Sequence, residues 1–201
     1  MAGVSRYNAG GDEADILKNK LGITDPNELG DFETILLTDS YEHFLDLLSQ
    51  NKVKLDLNLF FAIHKYFLEP LYSWAGKIRT VNISKENTAF ASAQNIEASL
   101  KQLSLEFEAN KPNPNDSKAT LAEKLAFLHC ELNAIHPFRE GNGRTIRLFL
   151  DLLTIHAGYE AVDFKSIPDE EYLNACKAGM LQNYEPMEVI YSKLLRITTK
   201  K

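Results

Sequence analysis

Along most of this chain, apolar residues recur at the spacing of one helix face. Leu59, Phe60, Ile63 and Phe67 do so within residues 55–68, and Leu121, Leu125, Leu128 and Leu132 repeat at i, i+4, i+7 and i+11. Ile146, Phe149, Leu150 and Leu153 obey the same rule, as do Met187, Ile190, Tyr191 and Leu194 after Pro186. One stretch departs from it. Residues 77–84 carry β-branched side chains partly in alternation, residues 85–87 offer a turn, and residues 88–90 offer a return. The pattern predicts a largely helical protein with one short β-hairpin. A hairpin that small contributes little core, which points to a functional job.

Two breaks interrupt the helical pattern. Residues 110–116 (Asn-Lys-Pro-Asn-Pro-Asn-Asp) form a turn cluster, and His136-Pro137 is followed by Gly141-Asn142-Gly143. A length of 201 residues fits one domain, placed at residues 16–201, after a Gly-rich flexible tail at residues 1–15. Hydrophobic residues at 44% and charged residues at 25% allow a core without disulfides. The net charge of −6 argues against nucleic acid or an acidic membrane as the main partner, because both need a basic field. Cys130 and Cys176 form no CxxC pair and read as buried thiols in a reducing compartment. With no long apolar run and no basic-then-apolar start, the expected location is cytoplasmic, with no membrane contact.

The chemistry concentrates in residues 136–147, His-Pro-Phe-Arg-Glu-Gly-Asn-Gly-Arg-Thr-Ile-Arg. The preceding helix must stop before Pro137, since the residue before proline avoids the helical basin. Gly141 and Gly143 flank Asn142, so the backbone can turn its N–H groups inward just where the next helix starts near Gly143. That is a natural anion site. Arg144, Arg147 and Asp151 share one face of a helix that is otherwise apolar nearly all round. Two guanidinium groups there need anionic partners. Asp151 can serve one, and a bound phosphate the other. Glu140 is placed to hold a Mg²⁺ on phosphate oxygens, and His136, with an ordinary pKa near ~6.5, suits a general base. Phe138 between them reads as an apolar anchor.

Residues 136–147 resemble the signature of the Fic (filamentation-induced-by-cAMP) domain family, HxFx(D/E)GNGRxxR, at every fixed position. Residues 72–79 (Tyr-Ser-Trp-Ala-Gly-Lys-Ile-Arg) resemble the family's lead into a hairpin flap, and residues 19–25 the start of many bacterial members. The resemblance implies an all-α fold, with a helix pair around the motif loop and the flap beside it. It implies protein AMP transfer from Mg²⁺-ATP to a Tyr, Ser or Thr hydroxyl of a target protein. His136 would be the base and Glu140 the metal ligand. Gly141, Asn142 and Gly143 would cradle the phosphates, and Arg144 and Arg147 would neutralise the β- and γ-phosphates. Ile83, Ser84 and Lys85 would border the nucleotide and dock an extended target segment, while Tyr172 and Met180 would line the adenine and ribose.

Many relatives carry an inhibitory helix, (S/T)xxxE(G/N). Thr24 to Glu28 and Ser104 to Glu108 have its spacing but not its ending. No self-inhibition is therefore expected, and a small antitoxin-like partner supplying a Glu to Arg147 is. The alternatives are another phosphate-group transfer, removal of AMP, or a nucleotide-responsive binding module without catalysis.

Overall fold

The fold is that of a computed structural model, which describes residues 8–9, 16–85 and 88–198. The chain forms two compact units: residues up to 97 with 136–145, and residues 98–135 with those from 146 onward.

In the first unit, helix α1 (Pro26–Ser49) starts where Asp25 accepts from the N–H groups of Asn27 and Glu28, with Pro26 in the first turn. Helix α2 (Leu57–Leu68) is capped in the same way by Asp56. Leu29 of α1 packs with Phe67, Leu68, Leu71, Tyr72 and Ala75, all buried. Each fully buried side chain of this size stabilises the unit by roughly 2 kcal/mol.

The first unit also carries a small sheet. Strand β2 (Ile83–Lys85) pairs antiparallel with β3 (Thr88–Ala89) through Ser84 opposite Ala89 and Lys85 opposite Thr88. Strand β1 (Asn8–Ala9) lies on the other edge of β2, with Asn8 opposite Ser84 and Ala9 opposite Ile83. The expected hairpin is present but shorter than residues 77–90 suggested. Arg79 donates its backbone N–H to Pro137 O at 2.8 Å, so at this position the chain serves the motif loop and not a ladder. Residues 86–87 of the expected turn, and all of the expected tail except 8–9, lie outside the described residues.

The remaining helices are α3 (Ile96–Asn110), α4 (Lys118–Ile135), α5 (Asn142–His156), α6 (Asp169–Gly179) and α7 (Glu185–Leu194). In the second unit α4, α6 and α7 pack on one another. Leu121, Leu125, Leu128 and Leu132 are fully buried there, as their spacing requires. Gly179 is the contact point of α6 with α4, because a Cβ would lie 2.2 Å from Cys130 Sγ. Both cysteines are buried free thiols, and burial first of all pushes Cys130 up to about 12. No helix among the described residues is long and apolar enough to cross a membrane. The all-α architecture with a small flap is as the sequence implied.

Candidate active site

Helix α4 stops at Ile135 and α5 starts at Asn142, leaving a six-residue loop between them. His136 opens it with φ +47°, a left-handed conformation that is strained for a residue without glycine's freedom. Arg79 holds it there. Its Nε donates to His136 O at 2.8 Å, its Nη1 to Val81 O at 2.7 Å, and its Nη2 to Ala91 O. Val81 precedes β2 and Ala91 follows β3, so one buried guanidinium ties both feet of the flap to the backbone of His136. The His136 imidazole is buried and stacks on Phe90, with centroids 3.8 Å apart and the rings tilted by 22°.

The loop is locked from inside. Asn142 Oδ1 accepts from Phe138 N and Asn142 Nδ2 donates to Phe138 O, each at 2.8 Å. The Asn142 side chain is thereby committed to shaping the turn. What it can offer a phosphate is its backbone N–H, which with those of Gly143 and Arg144 heads α5, where no intrahelical acceptor exists. Gly141 has φ +81°, and a Cβ there would lie 2.7 Å from Leu68 Cδ1, so only glycine fits. Phe138 is fully buried and stacks on His64 at 3.6 Å, which confirms its anchoring place.

His64 is a further support. The Gly76 N–H donates to its Nδ1 at 2.8 Å, so the proton resides on Nε2, which donates to Glu140 O at 2.9 Å. Burial, and then the nearby Arg144, hold this imidazole down to about 4, so it is neutral at pH 7. Glu140 itself is buried, and its Oε1 accepts from Gly141 N at 2.9 Å. A buried carboxylate beside a helix start offers the hard oxygen donor that Mg²⁺ prefers.

Arg144 meets a carboxylate that the local sequence did not offer. Its Nη1 lies 2.7 Å from Glu33 Oε2 of α1 and its Nη2 lies 3.6 Å from Glu140 Oε1, with the guanidinium 5.0 Å above the Phe67 ring. Glu33 also accepts from Tyr72 Oη at 3.1 Å. Burial, then the Glu33 charge, push Tyr72 well above the usual phenol range, so it remains a donor. Asp151, the carboxylate expected to serve one of the arginines, accepts from Val162 N at 2.9 Å. In the flap Ile83 is buried, Ser84 half-buried and Lys85 exposed.

The second unit holds the remaining candidates. Arg147 is half-buried on α5, and its charge bears on Tyr172 of α6. The Tyr172 hydroxyl lies 3.0 Å from His129 Nε2, and its ring packs edge-on to Phe164 and His129. Met180 is half-buried at the C-terminal cap of α6. The first unit thus gathers His136, Glu140, Gly141, Asn142, Gly143, Arg144 and the flap strand, and the second gathers Arg147, Tyr172 and Met180.

Glu33 and His64 carry no sequence signal beyond a carboxylate and a histidine on helical faces, and Arg79 enters only as the last residue of the 72–79 resemblance, without a role of its own.

A sequence profile of the Fic/DOC family matches residues 54–154. The "Probable protein adenylyltransferase y4lH" of Sinorhizobium fredii is 34% identical over 176 residues, which is 85% of this chain and 88% of that protein. The protein adenylyltransferase VbhT of Bartonella schoenbuchensis is 31% identical over 91% of this chain, which corresponds to 38% of its own length. Among solved structures, the BepC protein of Bartonella tribocorum with bound AMPPNP superposes with a TM-score of 0.73 at 26% identity, covering 98% of this chain and 99% of that one. A motif loop between two helices, a flap pinned to its first residue, and relatives that share nearly the whole length lead to one conclusion: the chain belongs to the Fic/DOC family.

Proposed function

We infer that this chain is a protein adenylyltransferase that moves AMP from ATP to a hydroxyl group of another protein. The activity is the one for which its relatives are named, and BepC, the solved relative with AMPPNP, is a precedent for a nucleotide in this fold. The observation that carries the reading to residues is His136, a buried imidazole whose left-handed backbone is clamped by Arg79 at the mouth of an amide-lined turn.

In this reading His136 takes the proton from a Tyr, Ser or Thr hydroxyl of the target. That oxygen forms a bond to the α-phosphorus as the bond from phosphorus to the bridging oxygen breaks, and pyrophosphate leaves with both electrons. The proton passes from the imidazole to water or to the leaving group. Backbone N–H groups of Asn142, Gly143 and Arg144 face the phosphates, and Arg144 and Arg147 neutralise the β- and γ-phosphates. Glu140 would hold a Mg²⁺, which when bound would add charge neutralisation at the polyphosphate. Ile83, Ser84 and Lys85 border the nucleotide and receive the target as an added strand, with Tyr172 and Met180 on the adenosine side. The enzyme acts in the cytoplasm, restrained by a small antitoxin-like protein that presents a Glu to Arg147.

The test is transfer of label to protein from ATP labelled at the α-phosphate and, separately, at the γ-phosphate. Label from the α position alone is expected. His136→Ala should abolish it while AMPPNP binding persists, and Glu140→Ala should weaken its dependence on Mg²⁺. Label from the γ position alone would make the enzyme a kinase and end this reading.

A further inference from the structure

The first unit holds a cavity of about 700 Å³ that has no part in the proposed reaction. Its cationic lining is Lys18, Lys20, Lys77, Arg79 and Arg139, and among the described residues no carboxylate lines it. That is the reverse of the chain as a whole, whose net charge is −6. Two of these cations are hydrogen-bonded to groups without charge. Lys20 Nζ donates to Glu69 O at 2.6 Å, and the Arg79 guanidinium donates to the carbonyls of His136, Val81 and Ala91. A carbonyl orients a cation and leaves its charge uncancelled. Lys18 and Lys77 are exposed. A cleft walled by one sign of charge concentrates its field inward, so this one attracts anions to a protein that on balance repels them.

The cavity is not only basic. Leu17, Leu71 and Ile78 give it an apolar wall, and Trp74, stacked on Tyr72 with centroids 4.4 Å apart, is half-buried beside them. A small inorganic anion would gain nothing from that wall. A carboxylate carried on methylenes, as in glutamate, matches both halves of the lining.

The wall also shows from where such side chains can arrive. Residues 77–81 line the cavity and lead into β2 at Ile83. Strand β1 runs antiparallel to β2, with Asn8 opposite Ser84 and Ala9 opposite Ile83, so a segment paired in that sense advances toward residue 82 and below. At about 3.3 Å per residue, roughly the next two to six residues of such a segment pass along the cavity wall.

We propose that this cavity is a docking site for an acidic segment of the target protein, lying on the C-terminal side of the residues that add to the flap. The proposal rests on the reading that the chain modifies another protein and receives it at β2. Targets are then selected by charge as well as by their hydroxyl.

Trp74 is the one tryptophan of the chain, so its emission reports on the cavity directly. The probe is a short peptide with a run of glutamates and no tryptophan, titrated into the full chain. A saturable change in emission is expected, weakened by added salt and absent for the same peptide with glutamines. Lys18→Glu combined with Lys77→Glu should weaken binding about tenfold or more and leave AMPPNP affinity unchanged. Lys52→Glu combined with Lys101→Glu alters the net charge equally outside the cavity lining and should bind the peptide as the parent does. Equal losses in the two double variants, or no emission change in the parent, would overturn the site. So would tighter binding of a single-stranded oligonucleotide of the same charge, or displacement of the peptide by AMPPNP, since each gives the cavity another occupant.

The link to the reaction is read separately. The peptide should slow labelling of lysate proteins from α-labelled ATP by the parent, and labelling by the Lys18→Glu, Lys77→Glu variant, already slower, should not respond. Peptide binding with no effect on labelling would overturn the docking role. Absence of labelling at every peptide concentration would end the transferase reading and the docking role with it, while the emission change would still record a site for acidic peptide.

Discussion

At the scale of single residues, the site contains an arginine with two duties. Arg144 is half-buried, carries the Glu33 carboxylate at 2.7 Å, and stands in the first turn of α5, which the proposed function turns toward the phosphates. Removing one partner of a buried ion pair strands the other, at about 3 kcal/mol. Glu33→Gln should therefore lower thermal stability by that order. A polyphosphate can replace the missing negative charge, so AMPPNP should raise the melting temperature of Glu33→Gln by more than it raises that of the parent. Equal shifts in the two proteins would mean that Arg144 does not meet the nucleotide.

The sequence offered no route to this pair. Glu33 and Arg144 are 111 positions apart, and His64 and Glu140 are 76 apart, with no local pattern to join them. Within residues 136–147 the opposite holds. There the constraints are local: a proline that ends one helix, a glycine that only a left-handed turn explains, and an asparagine whose two bonds close on Phe138 four residues away.

At the scale of elements, periodicity located the helices around Leu59, Leu121, Ile146 and Met187, because each buries one regular face. It overestimated the flap. Residues 77–82 have strand-like composition, but the Arg79 backbone N–H goes to Pro137 O in the motif loop, and β2 starts only at Ile83. Arg79 is the joint. Its side chain donates to His136, Val81 and Ala91, and lysine, with one ammonium, cannot span these three carbonyls. Arg79→Lys should leave AMPPNP affinity essentially unchanged and slow AMP transfer on the order of tenfold to a hundredfold, the range for misplaced reacting groups. If nucleotide affinity falls in proportion, Arg79 is structural support for the whole unit and not a coupling of flap to base.

The other edge of the flap raises a related question. Strand β1 pairs with Ile83 and Ser84 along the edge on which an extended target segment would add. A chain lacking residues 1–12 should label its targets faster at unchanged AMPPNP affinity, and an unchanged rate would show that β1 offers no competition.

At the scale of the whole molecule, two buried neutral imidazoles make stability depend on pH in a definite direction. His64 is held at about 4 and His129 at about 3, in each case by burial first and by a neighbouring arginine, Arg144 or Arg147, second. In the unfolded chain both return to the ordinary value near 6.5. Between that value and about 4 the unfolded chain binds protons that the folded chain refuses, so folding weakens as pH falls through this window and is insensitive to these groups above it. The sign is opposite to that of an imidazole paired with a carboxylate. Each group can contribute on the order of 3 kcal/mol to the loss. Asp56 and Asp116, whose carboxyls are held below their ordinary value, titrate beneath the window. Melting temperature should therefore fall steadily from pH 6.5 to 4.5. His64→Gln should flatten that slope by roughly half, since it removes one of two comparable terms and keeps a donor for Glu140 O. A variant as pH-sensitive as the parent would mean that His64 already binds its proton in the folded protein. Its Nδ1 could not then accept from Gly76, and the support beneath Glu140 would have to be built from a different tautomer.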